Sequence, residues 1–114
     1  MNGYAAYGRV QNITESPRAI EARLLTQATA ALRQACENPK DKAQMYDALI
    51  WNMKIWDAFM IDLSDDNNRL PKDLRKSLIG LATWVSRHTF KVMDGQGQID
   101  ALITVNTNII DGLK

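Results

Sequence analysis

The side chains that could carry out chemistry are few in this chain of 114 residues. It has one histidine, His88, and one cysteine, Cys36. These two residues cannot form a conventional zinc site, and the sequence has no Cys-x-x-Cys pair. His88 falls near the apolar stripe of a predicted helix, a position typical of a hydrogen-bonded packing residue. We therefore expect neither side chain to be catalytic or to bind a metal.

Two short motifs resemble ion- or phosphate-binding loops. Gly95-Gln96-Gly97 lacks the rest of a dinucleotide-binding fingerprint, and Gly95 is better explained as the left-handed cap of a helix. The polar stretch at residues 64–68 is rich in acids and amides, but it lacks the glycine and the terminal glutamate of an EF-hand loop. The sequence thus predicts no cofactor, no metal and no enzymatic activity.

The composition narrows the possible partners and location. The chain has 14 basic and 13 acidic residues, and a net charge of +1 gives no general attraction to nucleic acids or anionic lipids. No apolar run approaches the roughly 18 residues that a membrane span needs, and the N-terminus does not resemble a signal peptide. We therefore expect a cytoplasmic protein with no membrane partner, and leave its oligomeric state open.

Apolar spacing at the helical period predicts the elements that position these residues. The four predicted helices cover about 17–37, 41–63, 71–93 and 98–112. Ser16-Pro17 and Leu70-Pro71 are helix-start signals, and Asn38-Pro39 ends the first helix. The predicted fold class is all-α, a compact bundle of four helices. Residues 1–15 would form an N-terminal arm and residues 16–114 a single helical domain.

The second predicted helix is apolar around most of its circumference, so we expect it to lie at the centre of the bundle. Its inward stripe would consist of Met45, Leu49, Met53, Trp56, Met60 and Leu63, flanked by Ile50 and Ile61 on one side and by Ile55 and Phe59 on the other. Asn52 lies within this apolar arc, and Asn106 interrupts the seam of the fourth helix. Asn52 must find hydrogen-bond partners if it is buried, and an asparagine such as Asn106 often fixes helix register.

The N-terminal arm leaves two alternatives open. Its apolar residues recur at three-residue spacing, at Tyr4, Tyr7, Val10 and Ile13. The pattern fits an arm that docks on a helix pair, and it also fits a tail with scattered aromatic residues.

Apolar side chains outside the core stripes are candidate contacts for a partner. Trp51 projects away from the stripe of its helix and is either covered by the chain or left for a partner. Ile79 and Phe90 form a second, weakly apolar face of the third helix. Ile109 belongs to the apolar side of the fourth helix, which either closes the bundle or is displaced on binding.

Several segments, in order and over nearly the whole chain, resemble the FlaF family of alphaproteobacterial flagellar biosynthesis regulators. The matching segments are Tyr7–Val10, Ser16–Ala22 with Leu24-Leu25, Trp51-Asn52 with Ile55-Trp56, Asp65–Pro71 with Leu74-Arg75, and Asn106 with Ile109 and Gly112-Leu113. None of these segments is a catalytic motif, and the resemblance lies in the series.

The resemblance implies a small cytoplasmic, non-enzymatic regulator that promotes flagellin synthesis and secretion. Such a protein is expected to bind flagellin as a chaperone or adaptor and to act opposite to FlbT, a second candidate partner. Flagellin ends are amphipathic, so one of their helices could dock on a spare apolar face. Trp51, Ile79, Phe90 and Ile109 are the predicted partner-binding residues.

Two other function classes remain as alternatives. A post-transcriptional regulator would act on flagellin mRNA, directly or through FlbT, and would need its arginines to form a stripe. The near-neutral charge argues against direct RNA binding, and titration of leader RNA at two salt concentrations would decide. A small-molecule sensor would use Met45, Met53 and Met60 around a cavity, although methionines more often fill gaps in a core.

Overall fold

The computed structural model describes residues 17–113 and contains four α-helices. They are α1 (Pro17–Glu37), α2 (Lys42–Ser64), α3 (Lys72–Met93) and α4 (Ile99–Leu113). The described part of the chain has no β-strand. Each helix begins and ends within one residue of its predicted bounds, so the all-α prediction is confirmed. The predicted arm, residues 1–15, lies outside the described residues.

Local hydrogen bonds define the ends of α2 and the start of α3. The Asp41 carboxylate accepts a hydrogen bond from the Gln44 amide at 2.9 Å and caps the start of α2. Pro71 is the residue before α3 rather than its first residue. The Arg75 guanidinium donates from Nε and Nη2 to the Leu63 carbonyl oxygen at 3.0 and 2.8 Å. Arg75 therefore satisfies a free carbonyl at the end of α2 and ties it to α3.

A Schellman motif ends α3 at the position that the sequence indicates. Gly95 has a φ of 78°, in the left-handed region that favours glycine. The Gly95 amide donates to the Val92 carbonyl at 3.0 Å, and the Gln96 amide donates to the Lys91 carbonyl at 2.8 Å. These two bonds satisfy carbonyls that would otherwise lack partners at the helix end.

Substituting Gly95 by alanine is expected to lower the free energy of unfolding by about 1–2 kcal/mol, because the left-handed conformation strains an L-residue. Gly80 offers a matched control inside α3, where added alanine should stabilise the helix by about 0.5–1 kcal/mol. A Cβ at either position would meet nothing within 4 Å, so conformation alone separates the two variants. Urea unfolding checks the signs, and a shift of both variants in one direction would contradict this account.

The four helices pack as a ring in chain order. α1 packs between α2 and α4, and α3 packs on α2 along its length but approaches α4 much less closely. All four helices supply apolar side chains to one core. Its largest fully enclosed apolar side chains are Trp56, Leu25, Leu32, Leu49, Leu102 and Val85. The ring is therefore tight everywhere except between α3 and α4.

The expectation that α2 is touched by several neighbours is confirmed, although α1 is enclosed at least as completely. α2 packs along α1 and α3 but reaches α4 through its side chains, and the most completely buried stripe belongs to α1. That stripe consists of Leu25, Ala28, Leu32 and Ala35, each 0% exposed. Leu49, Trp56 and Leu63 of the predicted stripe of α2 are buried, and its buried side also includes Asn52 and Ile55. The methionines of the stripe, Met45, Met53 and Met60, are half-buried, and Ile61 is 74% exposed.

Candidate functional site

A network of neutral polar groups joins three helices inside the core. Asn106 of α4 lies at its centre and is 0% exposed. Its Oδ1 accepts a hydrogen bond from Trp56 Nε1 at 2.9 Å. Its Nδ2 donates to Asn52 Oδ1 at 2.7 Å and to Thr29 Oγ1 at 3.1 Å. The side chain of Asn106 therefore fixes α4 against α1 and α2 by hydrogen bonds that only one register provides.

The network leaves one donor without a partner. Asn52 Nδ2 is buried and finds no acceptor among the described residues. An unsatisfied buried donor costs about 1–3 kcal/mol. The bond from Asn106 compensates Asn52 for its burial. Asn106 in turn accepts the hydrogen bond of the Trp56 indole and holds that ring in place.

Next to this network, one end of the bundle opens into an apolar cavity of about 230 Å³, here called the cleft. It is lined by the first turns of α1 and α3 and the last turns of α2 and α4, so consecutive helices run in opposite directions. The lining residues are Glu21, Trp56, Phe59, Asp62, Leu63, Leu70, Leu74, Leu78, Asn108, Ile109 and Gly112. The cleft is bounded in part by α3 and α4, the pair of neighbouring helices that pack least closely on each other.

The cleft has an apolar floor and a polar rim. Trp56, 2% exposed, packs edge-to-face on Phe59 with ring centroids 5.6 Å apart. Leu74 extends toward solvent and is 45% exposed. Glu21 and Asp62 add carboxylates to the lining. Apolar side chains with a few polar groups around them are typical of a binding site for another amphipathic element.

The four predicted partner-binding residues occupy different places. Ile109 lines the cleft, half-buried. Trp51, 38% exposed, lines a shallow groove between α1 and α2 together with Asp41 and Asp47. Ile79 is half-buried on α3, and Phe90 is 54% exposed; neither lines the cleft or the groove. The structure thus brings only Ile109 into the cleft.

Sequence reasoning missed most of the cleft. The four-residue spacing of Leu74 and Leu78 is that of a core stripe along α3. Both line the cleft, because α4 does not close over the first turns of α3. The available signal was the four-residue spacing of Leu70, Leu74 and Leu78, which begins just before α3. Periodicity locates such a stripe but does not show whether a neighbour covers it.

His88 and Cys36 have structural surroundings. His88 Nε2 lies 2.7 Å from the Gln98 carbonyl oxygen, and its ring stacks on Trp84 at a centroid distance of 4.7 Å. His88 therefore packs and hydrogen-bonds at the turn between α3 and α4, as expected. Burial raises the pKa of the Cys36 thiol, and the carboxylates of Asp100 and Glu37 raise it further. A thiol with a raised pKa is a poor nucleophile at neutral pH.

Residues 17–113 contain neither a metal-binding cluster nor a membrane-spanning helix. No group of three or more His, Cys, Asp or Glu side chains there could hold a metal ion. None of the helices in that range is long and apolar enough to cross a membrane.

The fold and the cleft define a class of small all-α bundle with an apolar cavity open at one end. A comparison with known protein families shows to which of them the chain belongs. The family model described as flagellar protein FlaF matches residues 4–113, nearly the whole chain. The chain belongs to the FlaF family, as its sequence resemblance indicated. No curated protein and no solved structure matches it.

Proposed function

We propose that this protein is a non-enzymatic cytoplasmic regulator that binds flagellin as a chaperone or adaptor. In this role it promotes flagellin synthesis and secretion and acts opposite to FlbT. Membership of a flagellar family supports the cellular process. The cleft supports the binding role, because its apolar floor lies beside exposed apolar residues.

The proposed ligand is one amphipathic helix from a flagellin terminus. Such a helix presents apolar side chains at i, i+3, i+4 and i+7, and these would enter the cleft between α3 and α4. Leu74 and Leu78 are one turn apart on one wall, and Ile109 of α4 faces them across the cavity. Covering these side chains would keep the flagellin helix from other flagellin molecules until export.

The predicted contacts outside the cleft define the alternative surface. Ile109 is retained as a contact in the cleft. Trp51, Ile79 and Phe90 would contact flagellin only if the client wraps around α2 and α3 beyond the cleft. Substitutions on the two surfaces therefore distinguish a local client helix from an extended one.

Replacing Leu74 by aspartate is expected to weaken flagellin binding by at least tenfold. An apolar anchor residue is worth about 2 kcal/mol, and a carboxylate on the cleft wall would also have to be desolvated. Leu74 is 45% exposed, so nearly half of its surface already lies in solvent and the bundle should stay folded. Calorimetric titration of purified full-length protein with monomeric flagellin gives the dissociation constants.

Phe90→Asp provides the matched control, because Phe90 is a large apolar residue of the same helix, 54% exposed and outside the cleft. The dissociation constant of Phe90→Asp for flagellin should stay within twofold of that of the unmodified protein. Equal affinities for Leu74→Asp and the unmodified protein would exclude the cleft. A loss confined to Phe90→Asp would place flagellin on the outer face of α3.

A further inference from the structure

The described part of the chain begins next to the cleft. α1 begins at Pro17, and Glu21, four residues later, lines the cleft. At 1.5 Å per residue, these positions are only about 6 Å apart along the helix axis. The preceding residues can extend by up to about 3.3 Å each, so residues 4–16 have ample length to follow the cleft. Position and length together make this segment a candidate to occupy the cleft.

The segment also has the chemistry that the cleft requires. Tyr4, Tyr7, Val10 and Ile13 recur every third residue, and a chain with three residues per turn places them on one side. The family model begins at residue 4, so the segment belongs to the region that the family shares. A covalently tethered ligand acts at an effective concentration in the millimolar range, so modest apolar contacts would be sufficient for docking.

We propose that residues 4–13 of the same chain dock in the cleft when flagellin is absent. The apolar stripe of the segment covers the wall formed by Leu74, Leu78 and Ile109. A second step rests on the proposed function: a flagellin helix must displace the segment before it can bind in the cleft. If the segment fills the cleft about nine-tenths of the time, the apparent affinity for flagellin falls about tenfold.

A spin label tests the docking without flagellin. A nitroxide is attached at Gln11→Cys, next to the apolar stripe, in a full-length Cys36→Ser background. Methyl signals of Leu74, Leu78 and Ile109 should lose more than half of their intensity in the paramagnetic state. Val92 serves as the internal reference, because it lies 18 residues beyond Leu74 on α3, about 27 Å along the helix. Uniform intensities across cleft and reference methyls would overturn the docking.

Two variants of the labelled protein separate docking from general proximity. Tyr7→Ser combined with Val10→Ser removes half of the stripe and should restore the cleft signals. Asn12→Ser, between two stripe positions, should leave the broadening unchanged. Persistence of the broadening in the double variant would overturn the role of the stripe.

Flagellin titration tests the displacement step separately. The Tyr7→Ser, Val10→Ser variant should bind flagellin about tenfold more tightly than the full-length parent, and Asn12→Ser should match the parent. Selective broadening with an unchanged flagellin affinity would support the docked segment and overturn its competition with flagellin. Absent broadening would overturn the docking even if Leu74→Asp shows that flagellin uses the cleft.

Discussion

Replacing Asn106 by alanine is expected to lower the free energy of unfolding by about 3–5 kcal/mol. The substitution leaves Trp56 Nε1 and Asn52 Oδ1 buried without partners, at about 1–3 kcal/mol each. It also removes the side chain that joins α4 to α1 and α2. The total free energy of unfolding of a small domain is only about 5–15 kcal/mol, so the variant should be close to unfolding. Urea unfolding followed by far-ultraviolet circular dichroism gives the difference.

Asn108 provides the control for this substitution. It lies two residues later on the same helix and is exposed. Asn108→Ala should change the free energy of unfolding by less than about 0.5 kcal/mol, as surface substitutions usually do. Similar losses in the two alanine variants would mean that the network contributes little and that α4 is held by apolar packing alone.

Replacing Trp56 by alanine is expected to destabilise the bundle by about 3–5 kcal/mol, because it leaves a large void in the core. Trp56→Phe keeps most of the apolar area but removes the indole donor, so Asn106 Oδ1 loses its bond. The free energy of unfolding of Trp56→Phe should therefore be lower by about 1–3 kcal/mol. Comparing the two variants by urea unfolding separates the packing of the ring from its hydrogen bond.

Trp51→Ala is the matched control, since Trp51 lies on the same helix and is 38% exposed. It should lose clearly less stability than Trp56→Ala. If Trp56→Phe is as stable as the unmodified protein, the bond between the indole and Asn106 is not a determinant of the fold.

Local signals allowed the helices to be predicted almost to the residue. Proline at the start of α1, Asn38-Pro39 after its end and Gly95 after α3 each restrict the backbone or satisfy free carbonyls at one position. Such effects depend on neighbours in sequence, so they can be read before any tertiary structure is known. The prediction that His88 is a hydrogen-bonded packing residue rested instead on its place near the apolar stripe of α3.

Tertiary relations explain what the sequence did not reveal. Asn52 and Asn106 were both placed on inward faces, but spacing within one helix cannot show that they bond to each other. In the same way, the spacing of Leu74 matches a core residue, and only the separation of α3 from α4 exposes it. On α2, periodicity correctly placed Leu49, Trp56 and Leu63 on the buried side. It could not show that Met45, Met53 and Met60 are only half-buried, since that depends on where the neighbouring helices lie.

The hydrogen bonds at the centre of the bundle involve two amides, an indole and a hydroxyl. None of these groups gains or loses a proton over the physiological range. Acidification and mild alkali therefore leave this junction intact, and dissolved ions do not screen it as they would a surface ion pair. The centre of the bundle should accordingly behave alike at different pH values near neutrality and at different salt concentrations.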